Sequence, residues 1–256
     1  MSSTLIQNVR LLCPASGTDR VSDVRLEDGR ISHIGAAPAA DQTLDGRGQW
    51  LMPAAIDLCA RLREPGATAK ATIASETAAA LGAGIGLVVM PPDTKPVADT
   101  AAVIDRIHAK AAQAGAARVR VLGALTQGLQ GEALAELSAL KAAGVVGVSN
   151  GMAPLANLLL ARRALEYANG LGLTVHVVAV DAALANHGCA HEGAMATKLG
   201  LAPIPVAAEV AAIRQWISLV EDTGAAVHFG RLSSARGVEL VESAQARRLS
   251  VTADVA

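Results

Sequence analysis

Apolar residues follow two rhythms along this chain, and the rhythm changes near residue 50. Before it, short alternating runs predict strands. Val24-Arg25-Leu26-Glu27 and Arg30-Ile31-Ser32-His33-Ile34 flank Asp28-Gly29, a pair suited to the positive φ values of a two-residue hairpin turn. From Leu51 onward, continuous apolar runs at 86–90, 119–122, 144–148, 173–178, 226–229 and 249–253 predict buried strands. Between them, Ala- and Leu-rich stretches near 69–82, 98–114, 131–142, 154–170, 204–223 and 234–247 predict helices. In the stretch 204–223, Ile204, Val206, Val210, Ile213, Ile217 and Val220 fall close to one helical face. Such strand–helix alternation predicts a parallel sheet with helices outside it.

Composition narrows this picture. Hydrophobic residues make up 52% and aromatics only 2%, so Ala, Val, Leu and Ile must fill the core. A formal net charge of -1 gives no global pull toward nucleic acid or anionic membranes. Cys13, Cys59 and Cys189 do not read as a disulfide framework. No basic start precedes an apolar block, and no uncharged apolar run is long enough for a membrane span. The expectation is a soluble, cytoplasmic protein.

The segment Asp57-Leu58-Cys59-Ala60-Arg61-Leu62-Arg63-Glu64-Pro65-Gly66 carries the candidate chemistry. It resembles the first-strand motif of the dihydroorotases, within the cyclic amidohydrolases: Asp-x-His-x-His-x-Arg-Glu-Pro-Gly, whose histidines hold zinc. Pro92-Asp93-Thr94-Lys95-Pro96 is similar to the family's Pro-Asn-Thr-x-Pro loop. Val227-His228-Phe229-Gly230-Arg231-Leu232-Ser233-Ser234-Ala235 resembles its Val-His-x-x-His-Leu-Ser-Thr-Ala. Further matches at 74–80, 192–201, 205–209, 238–241 and 251–254 fall in the family's order, so the resemblance covers essentially the whole chain. It implies a TIM-type (β/α)₈ metallo-dependent-hydrolase-like barrel over 51–256 and a small N-terminal β-sandwich-like domain over 1–50. Counting Pro53–Leu58 as the first, only seven barrel strands are found before Ala256. A closed barrel needs eight. The last strand is therefore expected beyond this chain, as part of a longer protein, with a natural truncation as the other reading.

The resemblance also locates the family's metal ligands, and here the chain departs from it. Cys59 and Arg61 stand for the first-strand histidines, Asn150 and Gly151 for the acidic loop after strand four, Val178 for the strand-five histidine and Arg231 for the strand-six histidine. A cysteine can bind zinc as a thiolate, whereas an arginine has no lone pair to give. No zinc or other cofactor is expected. On the substrate side, Arg63 is kept where the family grips a carboxylate, but Asp93 replaces the partnering asparagine. The implied function is a catalytically inactive dihydroorotase homologue in pyrimidine biosynthesis. It would be a structural subunit, in a homo- or hetero-oligomer, with the aspartate carbamoyltransferase catalytic chain.

Two other readings stay open. One is an active cyclic amidohydrolase with an atypical metal site built from Cys59, His176 or the His187-x-Cys189-x-His191 loop. The other is an anion-sensing pseudoenzyme using Arg61, Arg63 and Arg231, which would lie near one mouth. Against the latter, Asp57, Asp93 or Glu64 would neutralise the arginines as an internal plug. The bland expectations are that Cys59 is a buried inert thiol, His176 and His228 are structural, and the 187–191 loop is merely polar. Gly82-Ala83-Gly84-Ile85-Gly86 precedes a strand, so it reads as a helix-ending turn and not a phosphate loop.

Overall fold

The computed structural model describes residues 2–255, and the chain divides into two compact units, Met1–Ala55 and Ile56–Ala256. The first holds β1 (Ser3–Cys13), β2 (Thr18–Glu27), β3 (Arg30–Ile34), β4 (Gln42–Asp45) and β5 (Trp50–Leu51). They form one five-stranded sheet in the order β3-β2-β1-β4, with β5 also pairing β1. Among the described residues this is a single sheet, which corrects the sandwich-like expectation. Every strand hydrogen-bonds to β1 or β2, so none is left to build a second layer. Val9, Leu11 and Val24 bury its small core. The β2–β3 hairpin turns at Asp28 (φ 49°) and Gly29 (φ 74°), as the Asp-Gly pair predicts.

The second unit contains β6 (Ala55–Asp57), α1 (Ile73–Gly82), β7 (Ile85–Met90), α2 (Ala101–Ala114) and β8 (Arg118–Ala124). Then come α3 (Leu137–Ala142), β9 (Gly147–Ser149), α4 (Leu158–Gly170), β10 (Thr174–Val177), α5 (Ala182–Ala185), β11 (Ala190–His191) and α6 (Ala194–Leu199). β12 (Pro203–Ile204), α7 (Val206–Thr223), β13 (Val227–Leu232), α8 (Ala235–Ala246) and β14 (Val251–Val255) complete it. Seven strands make one sheet, ordered β14-β13-β10-β9-β8-β7-β6, while β11 and β12 pair separately. Pairing is parallel from β7 through β14. The sheet curls: residues beside β6 and residues of β13 and β14 line the same cavities. The architecture is an α/β partial barrel.

Local chemistry sets the helix limits. Thr72 and Ser75 form a reciprocal capping box at α1, and the Asn157 side chain accepts from Leu159 and Leu160 to start α4. Gly115 (φ 63°) and Gly224 (φ 67°) end α2 and α7 in the left-handed conformation. α7 buries Val210, Ile213, Trp216, Ile217 and Val220, the face its periodicity predicts. The predicted helix at 131–142 begins only at Leu137. Upstream, the backbone is held in bridge-like pairing, with Gln127 N–H donating to Ala133 O and Ala135 N–H to Leu125 O. Leu62, Met90, Leu125, Leu140, Leu165 and Phe229 anchor the main core between sheet and helices.

Candidate functional site

Parallel pairing brings the C-terminal ends of the second unit's strands to one side. Register then aligns an interior polar row across four strands. Ser149 of β9 pairs with His176 of β10, His176 with His228 of β13, and His228 with Thr252 of β14. The two imidazole rings sit 4.9 Å apart. His228 Nδ1 lies 2.9 Å from Thr252 Oγ1, and Nε2 lies 3.0 Å from Asp254 Oδ2. A carboxylate can only accept, so Nε2 donates to Asp254, and Nδ1 of a neutral ring accepts from the Thr252 hydroxyl. The structural expectation for His228 fits this clasp. His176, by contrast, makes no hydrogen bond through its ring to any described residue. Burial, with His228 beside it, pushes its pKa down to about 4. It is therefore a neutral imidazole at physiological pH.

Five of the six residues expected at the family's ligand positions surround one small cavity of ≈ 40 Å³: Cys59, Arg61, Gly151, Val178 and Arg231. That space suits about one water molecule. Asn150 is buried at its edge and tied off, accepting from Thr126 Oγ1 and donating to Ala153 O at 3.1 Å. Arg231 sits at a β-bulge with φ 63°, its backbone N–H on Asp254 Oδ1 and its guanidinium against Met152 Sδ. Burial pushes the Cys59 thiol pKa up, against the pull of the Arg61 and Arg231 guanidinium groups. The thiol is protonated at neutral pH and is no activated nucleophile.

Of the expected internal ion pairs, one forms. Arg61 Nε donates to Asp93 Oδ2 at 2.7 Å. Glu64 instead faces Lys110 at 3.6 Å and accepts from Ile73 N at the start of α1. Asp57 accepts from the backbone N–H of Cys59. Nor do the three arginines share one cavity. Arg61 and Arg63 line a separate space of ≈ 280 Å³ with Asp93 and Lys95, and Arg231 is not part of it. The chain turns at Arg63 (φ 65°) after the buried Leu62, which carries Arg63 away from Arg231. Lys95 is a cation the motif reading passed over; its place beside Arg63 follows from the loop after β7.

His187, Cys189 and His191 are exposed around β11, and Cys189 N–H bonds Ala202 O. Among the described residues, no three His, Cys, Asp or Glu side chains converge at metal-binding spacing. The side chains at the mouth do not suit zinc, because valine offers no donor and two guanidinium groups repel a dication. Sequence reasoning also gave Asp254 and Glu209 no role. Asp254 closes the His228 clasp, and its only signal was its place at a strand's C-terminal end. Glu209, 6% exposed, accepts from the backbone N–H and hydroxyl of both Ser233 and Ser234. It thereby pins the turn that follows Arg231 to α7.

A family model described as dihydro-orotase-like matches residues 48–236. This chain belongs to the dihydroorotase-like family. It is 48% identical over 254 residues to a dihydroorotase-like protein of Pseudomonas aeruginosa, covering 98% of this chain and 60% of that relative. It is 42% identical over 259 residues to a protein named dihydroorotase in Anaeromyxobacter sp. (strain K), covering 100% of this chain and 60% of the relative. The chain thus spans about three fifths of the length of the dihydroorotase relatives it matches. Its fold is similar to that of the L-hydantoinase (dihydropyrimidinase) from Arthrobacter aurescens, with a TM-score of 0.80 at 22% identity. That match covers 100% of this chain and 58% of the other, and bears on the fold alone. A dihydropyrimidinase from Brevibacillus agri NCHU1002 gives a TM-score of 0.77 at 20% identity, covering 99% and 57%. No helix among the described residues is long and apolar enough to cross a membrane.

Proposed function

We propose that this dihydroorotase-like chain is catalytically inactive and serves as a structural or assembly subunit with the catalytic chain of aspartate carbamoyltransferase, in the cytoplasm, in pyrimidine biosynthesis. On this reading the curled sheet is part of a metallo-dependent-hydrolase barrel that has kept its frame and lost its zinc. One observation carries the inactivity. Cys59, Arg61, Val178 and Arg231 close around ≈ 40 Å³, and Arg61 is held by Asp93. Without a bound metal, no water is acidified toward neutral pH at this mouth, and hydrolysis of a cyclic amide lacks its nucleophile. The protonated Cys59 thiol does not replace it. The partner rests on the family resemblance, and a kept fold around an altered site supports a scaffold role.

The test has two parts. Elemental analysis and a dihydroorotate turnover assay on the purified protein are expected to show neither stoichiometric zinc nor hydrolysis. Light scattering with the cognate aspartate carbamoyltransferase catalytic chain is expected to show a mass above that of either component. Stoichiometric zinc with turnover would overturn the inactivity, and two separate species would remove the subunit role. A second reading is favoured by the cavity holding Arg61, Arg63 and Lys95, where three cations face one carboxylate. That excess of positive charge suits a small carboxylate or phosphate. Saturable phosphate binding, abolished by Arg63→Ala, would support it.

A further inference from the structure

A third cavity, of ≈ 310 Å³, opens beside the altered metal centre and has a different chemistry. It lies between the loop after β9, the end of β10, α5 and α7. Its volume falls at the lower end of small-molecule sites. Leu155, Val177 and Ala212 give it apolar walls. Ala212, Gln215 and Trp216 stand at i, i+3 and i+4 on α7, so one helical face supplies its floor.

The polar groups on these walls are unsatisfied in a particular way. Trp216 is 8% exposed, yet its indole N–H meets no acceptor among the described residues. Among the described residues, no side-chain polar atom on these walls is both sealed from solvent and unpartnered, so the Trp216 N–H keeps an opening. Asp181 uses Oδ1 to cap α5 through Leu184 N–H, which leaves Oδ2 available. Gln215 is exposed and its amide has no bonded partner among the described residues. Asn150, by contrast, has both ends of its amide engaged and acts as wall. No lysine or arginine lines the cavity, so Asp181 carries its only full charge. An anion is therefore repelled here, unlike at the cavity of Arg61, Arg63 and Lys95.

One fixed donor, one fixed acceptor and an adaptable amide, set over apolar walls, define a recognition pattern. We propose that this cavity binds a small uncharged or monocationic nitrogen heterocycle of nucleobase size, one that places an N–H beside a ring acceptor. Asp181 Oδ2 accepts the ligand N–H, the Trp216 indole donates to the adjacent ring nitrogen or carbonyl, and Gln215 takes the remaining edge. The cavity adjoins the mouth that bears Cys59 and Arg231, with Gly151, His176, Val177 and Val178 lining both, and it does not depend on the subunit reading.

The chain's two tryptophans make the test direct. Trp50→Phe leaves Trp216 as the single tryptophan reporter. Titration of that variant with cytosine, adenine and uracil separately is expected to give saturable quenching with at least one. Asp181→Asn keeps the oxygen that caps α5, and Gln215→Ala changes an exposed side chain, so both variants should fold. Each is expected to weaken binding about fivefold, the loss of one hydrogen bond. Arg63→Ala is expected to leave it unchanged, and orotate, an anion, is expected not to compete. Quenching that never saturates, or that survives both cavity substitutions undiminished, would overturn the proposal.

Discussion

His176 is the residue whose titration has most to say about the folded state. Its pKa falls from an ordinary 6.5 to about 4 on folding, with burial as the main cause. Between those values the unfolded chain binds a proton that the folded chain does not. Stability is therefore full above about pH 6.5 and falls as pH drops toward 4, by on the order of 3 kcal/mol from this residue. Comparing acid unfolding of the parent with His176→Leu tests this, because the variant should lose that part of the pH slope. Asp93 offers a second prediction. Asp93→Asn keeps an acceptor for Arg61 and removes the negative charge facing Arg63 and Lys95. Phosphate binding in that cavity, followed by calorimetry, should tighten about fivefold, or roughly 1 kcal/mol; no change would remove the anion reading. The grouping of Cys59, Arg61, Val178 and Arg231 around one cavity was legible in the sequence because a motif frame fixed where to look. The pairing of Arg61 with Asp93, thirty-two positions apart, was not, because spacing alone left Asp57 and Glu64 as equal candidates. Trp216 went unnoticed since, on an amphipathic helix, it reads as core.

At the scale of elements, one junction holds the site together. Glu209 on α7 gathers four hydrogen bonds from Ser233 and Ser234, between β13 and α8. Glu209→Ala strands two backbone N–H groups in a buried place and should cost about 3 kcal/mol. Urea unfolding measures it, and a cost below 1 kcal/mol would show the junction to be passive. Long elements were legible because burial imposes periodicity: α7 and the buried strands lie where the apolar pattern places them. Short ones were not. β11, β12, α5 and α6 are brief segments defined by partners distant in sequence, such as Cys189 N–H on Ala202 O and Glu192 N–H on Ile204 O. The start of α3 was misplaced for the same reason, since a tertiary bridge from Thr126 to Leu134 overrode helical propensity.

For the molecule as a whole, the second unit's main sheet has an ordering that mirrors the chain. Each of its seven strands hydrogen-bonds only to the sheet strands before and after it in sequence, and β6 and β14 each have one neighbour. Over the described residues, the sheet is a row of linked slats. Its strand-to-strand hydrogen bonding runs in one line, and in this chain local opening is expected to begin at the outer strands. Hydrogen–deuterium exchange should therefore show a gradient and not a plateau. Amides of β9, central and wholly buried, should exchange last, and those of β6 and β14, where Ile56 and Val255 are 58% and 71% exposed, first. Uniform protection across all seven strands would mean that the sheet unfolds as one block. If the gradient holds, a partner that grips the outermost slats would raise protection far from its own footprint, stiffening the row from its ends inward.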